Sequence, residues 1–67
     1  MNDLEVINLW KQGLNKYQVA KAYQRSYNQR IKIIRLDMRH RHELFMTNRE
    51  ALEHVEKIIL EYVRRYE

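Results

Sequence analysis

The chain contains no cysteine and no proline, and its single glycine is Gly13. Without cysteine it has neither a disulfide framework nor a thiolate metal site, and it suits a reducing compartment. Without proline no residue locks φ or removes a backbone donor, and the mix of Leu, Lys, Arg, Gln and Glu favours helix throughout. Apolar residues come in twos and threes, so no run approaches the ~20 residues of a membrane span or the continuous apolar stretch of a signal peptide. The expectation is a soluble, cytoplasmic protein with no membrane partner. Serine is scarce as well: Ser26 stands alone, beside three histidines and very little loop. That leaves little from which to assemble a nucleophile, a base and an oxyanion pocket, so an enzyme is not expected and no cofactor is implied.

What the chain does have is positive charge, unevenly spread. Its 67 residues carry a formal net charge of +4. Residues 1–42 hold nine Lys and Arg against Asp3, Glu5 and Asp37, a regional net of +6, while residues 43–67 hold four against six glutamates, a net of −2. Such a one-sided basic cluster is the electrostatic footprint of a phosphate-binding surface. The length allows one domain and a thin stability margin, and with no disulfide available oligomerisation is the common remaining support.

Four helix starts follow from one repeated device, a small polar residue with Glu or Gln three positions later, which satisfies orphan backbone N–H groups. These are Asn2 with Glu5, Asn15 with Gln18, Ser26 with Gln29, and Thr47 with Glu50. The reading is an all-α, four-helix domain, with helices at about 3–12, 16–24, 27–42 and 48–66. In the first, Val6, Ile7 and Trp10 recur at helical spacing, and Gly13 sits where a helix C-terminus favours positive φ. The second turns Val19, Ala20 and Tyr23 inward, and the third turns Tyr27, Ile31, Ile34 and Met38. Residues 43–46 end the third helix as an apolar corner. The long C-terminal helix aligns Ala51, Leu52, Val55, Ile58, Ile59, Tyr62, Val63 and Tyr66.

Winding the third helix at ~100° per residue sorts its other side chains onto two further faces. Asn28, Lys32, Arg35 and Arg39 form a basic stripe free of acids. Opposite the core lie Gln29, Ile33, Leu36 and His40, more apolar than a solvated face requires. His40 and His42 lie about 200° apart on a helix, so they do not share a metal locally.

Residues 13–26, from Gly13 through Val19 and Ala20 to Ser26, resemble the first helix and turn of a bacterial helix-turn-helix. The alanine is seven residues after the glycine, and the serine six after the alanine. In such motifs the small residue lets two helices cross closely and the serine caps the recognition helix. The layout as a whole is similar to the four-helix DNA-binding domain of the LuxR/GerE family, with residues 47–52 similar to the start of that family's fourth helix. The turn departs from the family pattern at Gln24 and Arg25, and Ile31 arrives one residue late. The resemblance implies that the third helix lies in the major groove of double-stranded DNA, with Asn28 and Gln29 toward bases and Lys32 and Arg35 toward guanine edges or phosphate. Lys16, Tyr17, Gln18, Lys21, Arg25 and Arg39 would then hold phosphates.

Two functions stand open at this point. One is a small DNA-binding transcriptional regulator, such as a phage or mobile element uses. The other is an interaction module, an inhibitor or adaptor docking on a larger host protein through Ile33, Leu36 and the long last helix. Because that last helix exceeds what a core of this size needs, Ile59, Tyr62, Val63 and Tyr66 are expected to contribute to a homodimer contact.

Overall fold

Local chemistry sets the first helix. The Asn2 side chain accepts from the Glu5 N–H at 2.9 Å and opens α1, Asp3–Lys11. Asp3 and Glu5 place negative charge at its N-terminal end and Lys11 positive charge at the other, both favourable against the helix dipole. The helix stops at Gln12, and Gly13 follows at φ +101°, a backbone state that a side chain would strain.

The structure, a computed structural model, describes residues 1–34 and 44–67, with Ile34 described in its backbone alone. Among the described residues there are three helices and no strand: α1, then α2 at Lys16–Ile34, then α3 at Asn48–Tyr66. The reciprocal pair expected at Asn15 and Gln18 opens α2, each side chain accepting from the other's N–H at 2.9 and 3.0 Å. Thr47 and Glu50 do the same for α3 as a full capping box.

Three expectations need correction. The helices read at 16–24 and 27–42 are, as far as residue 34, a single helix, so the central helix-turn-helix has no turn at Gln24 and Arg25 and the count of four helices becomes three among the described residues. Ser26 sits in mid-helix, where no N–H is orphaned for it to cap, and its Oγ instead accepts from the Met1 amino group at 3.2 Å. The physical reason is that nothing at 24–26 breaks a helix. Gln and Arg are good helix formers, and Val19, Ala20, Tyr23, Tyr27 and Ile31 keep one 3.6-residue phase straight through the supposed turn. Tyr27, expected in the core, stands on the exposed side, while Ile31 is half-buried. Met38, and whatever follows residue 34 in the third predicted helix, lie outside the described residues.

Helices α2 and α3 run antiparallel, but slid along each other. Lys16 meets Glu56 at 3.1 Å, and Gln24 reaches the Met46 carbonyl just before α3 begins. The first half of α2 therefore faces the first half of α3, and residues 25–34 run past its start. At ~1.5 Å per residue each helix is about 28 Å long and the slide about 15 Å, which accounts for a rod 44 × 18 × 17 Å in extent. Helix α1 fills the space beside the last turns of α3 that α2 does not reach.

The core lies where all three helices meet. Val6, Val19 and Val55 are fully buried, with Ala20 and Ala51 allowing close approach and Met46 closing the corner. Burial of the valines contributes on the order of 1.5–3 kcal/mol each. Trp10, half-buried, packs against this cluster and meets Tyr62 edge to face at 6.3 Å. No helix of the described chain is long and apolar enough to cross a membrane.

Candidate nucleic-acid interface

Fusing the two predicted helices changes what the basic residues can do together. In one continuous helix, Lys21, Arg25, Asn28 and Lys32 follow one another at steps of four, three and four residues, a single stripe along α2. Lys21, Arg25 and Lys32 are exposed, as is Gln29 beside them, and with Gln24 and Asn28 they line one shallow groove. That groove adjoins a second, between α2 and α3, where Tyr17, Lys21 and Gln24 face Asn48 and Arg49. Among the described residues, no acidic side chain lines either groove.

Asn28 has a structural task. Its Oδ1 accepts from the Met46 N–H at 2.7 Å, and its Nδ2 donates to the Met46 carbonyl at 3.3 Å. The Gln24 Nε2 donates to the same carbonyl at 3.0 Å. Two side chains of α2 thus satisfy both backbone groups of the corner residue, and so anchor the entry to α3. The amide expected to face a base is occupied with the fold.

Of the residues expected to hold phosphate, the structure brings some together and engages others elsewhere. Lys16 is paired with Glu56, and the hydrogen bond it donates to that carboxylate, followed by the carboxylate's charge, holds the ammonium above the ordinary lysine value of 10.5. Its Nζ also lies 5.4 Å from the Tyr17 ring centroid, and Tyr17 is largely exposed. The Gln18 side chain caps α2. Lys21 and Arg25 remain on the open stripe, and Lys32 sits there with its Nζ 6.0 Å from the Phe45 ring. Arg35, Leu36, Arg39, His40 and His42 lie outside the described residues.

Sequence reasoning missed Gln24 and Arg49. Gln24 was assigned to a turn, yet its spacing of three from Lys21 and four from Asn28 marks it as their neighbour once the helix is unbroken. Arg49 was read only as the start of the last helix. Its guanidinium makes a loose 3.9 Å contact with Glu53 and is 90% exposed, on the same side as Lys21.

The residues expected at a protein contact divide in the same way. Ile33 is 71% exposed near the C-terminal end of α2. Ile59 packs on the core, Tyr62 is held between Trp10 and Tyr66, and Val63 is half-buried, whereas Tyr66 is open to solvent. The end of α3 is thus partly covered by α1. His54, the one histidine within the described residues, stacks on Tyr23 at 6.0 Å.

Comparison with protein-family models, with curated proteins and with solved structures finds no match to this chain.

Proposed function

We propose that this protein is a small DNA-binding regulator that lays the exposed side of α2 along duplex DNA. The observation that carries this reading is the unbroken stripe of Lys21, Arg25 and Lys32, with Gln29 beside it and Arg49 across the adjoining groove, and with no acid lining either groove among the described residues. A B-form major groove, ~12 Å wide, admits one α-helix. The second half of α2, extending past the start of α3, has the dimensions to enter it. Lys21, Arg25 and Arg49 are placed to neutralise phosphates, and Gln29 and Lys32 are the side chains free to reach base edges. Asn28 serves by holding the corner.

Binding to random-sequence duplex DNA, measured across salt concentration, tests the reading. Affinity should fall linearly with salt on a logarithmic scale, and the triple variant Lys21→Ala, Arg25→Ala, Lys32→Ala should lower that slope by about three. Absence of binding at low salt, or an unchanged slope in the triple variant, overturns it.

One observation favours a second reading, a module that docks on a larger protein: Ile33 stands 71% exposed on the same overhang. A stable complex with a protein that survives nuclease treatment and is lost in Ile33→Glu would favour docking over DNA.

A further inference from the structure

The stripe along α2 does not end at Lys21. One helical turn earlier stands Tyr17, an aromatic side chain 63% exposed at the head of the cations. Lys16 Nζ lies over that ring, 5.4 Å from its centroid, and the exposure that remains leaves ring surface open to a ligand. Tyr17 and Lys21 line the groove between α2 and α3, with Ala20 and Leu52 as its apolar lining and Arg49 on the opposite wall. The nearby acids of α3 do not line it: Glu50 holds the Thr47 cap, Glu56 pairs with Lys16, and Glu53 meets Arg49 only at 3.9 Å.

A groove of this make-up is complementary to two things at once, an anion and a flat apolar face. A duplex presents phosphates at its surface and keeps its base faces stacked inside, so cations suffice to hold it. An unpaired nucleotide presents both in one unit, its base stacking on an aromatic ring while its phosphate meets a cation. An acidic peptide supplies the anion without the flat face. We propose that this groove holds an unpaired nucleotide beside the duplex, with its base on Tyr17 and its phosphates at Lys21 and Arg49. The proposal rests on the reading that α2 follows duplex DNA, and adds that the preferred partner is a duplex carrying a single-stranded tail.

Reach supports the placement. At ~1.5 Å per residue, Tyr17 lies about 12 Å along α2 from Arg25. With residues 25–34 in a major groove ~12 Å wide, Tyr17 lies outside it, and a base reaches the ring only from a strand that has left the pairing.

Fluorescence anisotropy on the full chain tests this with three DNA hairpins: one blunt, one with a short thymidine tail, and one whose tail keeps the phosphates on abasic sugars. The thymidine tail should bind at least about fivefold more tightly than the abasic tail. Tyr17→Leu, which keeps apolar bulk at an exposed site, should bring that ratio to about one, and Tyr17→Phe should keep it. Far-UV circular dichroism checks that helicity is retained. Equal affinity for the two tails, a ratio unmoved in Tyr17→Leu, or a ratio lost in Tyr17→Phe overturns the proposal. Polyglutamate that competes as well as the tailed hairpin overturns it too, and assigns the groove to an acidic polypeptide. Failure here leaves binding of the blunt hairpin and its salt dependence intact, whereas failure of the duplex reading removes them. Were the blunt hairpin not to bind, the ratio between the two tails would still decide what the groove holds.

Discussion

The two ends of the rod are built from the same helices and hold together by different means. At one end, α1 lies on the last turns of α3, and contact is apolar and aromatic, through Ile7, Ile58, Trp10 and Tyr62. At the other, α2 runs past the start of α3, and the amides of Asn28 and Gln24 tie it to the backbone of Met46. The difference lies in what each end leaves exposed. Apolar packing tolerates charge only at its rim, so the α1 end shows leucine and tyrosine bordered by both signs of charge. A hydrogen-bonded corner needs little apolar area, which leaves the outer side of α2 free to carry cations. Fold maintenance and exposed cations thus share one stretch of α2, with Gln24 and Asn28 holding the corner from within the groove that Lys21, Arg25 and Lys32 also line.

Substitutions at the junction of these ends should have the largest effects. Val55→Asp places a carboxylate at a fully buried position contacting both halves, and should cost more than about 4 kcal/mol, abolishing the helical signal at room temperature. The triple stripe variant should leave the unfolding free energy within about 0.5 kcal/mol of wild type while removing most affinity for duplex DNA. Were it to unfold the chain, the separation of fold from ligand surface would be wrong. Asn28→Ala orphans the Met46 N–H and should cost about 1–3 kcal/mol, a loss in stability measurable without any nucleic acid. Gly13→Ala, at φ +101° with open space around it, should cost about 1 kcal/mol through backbone strain alone. Lys16→Met should have the smallest effect, because its pair with Glu56 is solvent-exposed and screened by salt. The folded-state pKa of Lys16 is raised, so what the pair contributes is present below 10.5 and is lost as pH rises through the higher folded value. Wild type and Lys16→Met should therefore converge in stability at strongly alkaline pH.

Much of the local structure was legible from residue types. Asn2, Asn15 and Thr47 cap helices as their spacing to Glu5, Gln18 and Glu50 suggested, and Gly13 ends α1. Val6, Val19, Ala20, Ala51 and Val55 are core residues, as their periodicity indicated. The apolar corner before Thr47 holds in Met46, which is buried. Ser26 misled because its spacing to Gln29 matched a capping box, while the phase of the apolar residues on either side had already stated that the helix continues. The stripe is half legible in the sequence: Asn28 and Lys32 fall on it, but the expected break puts Lys21 on another helix and Arg25 in a turn.

The sequence by itself determined the helical class, the three caps, the stop at Gly13 and the inward phase of Val6, Val19, Ala20, Ala51 and Val55, because each depends on groups within about four positions of one another. Only the tertiary structure decided how far α2 slides along α3, that Asn28 and Gln24 hold the backbone of Met46, and that Lys16 pairs with Glu56. Those depend on groups 18 to 40 residues apart, brought together by burial of a shared core that no local pattern encodes.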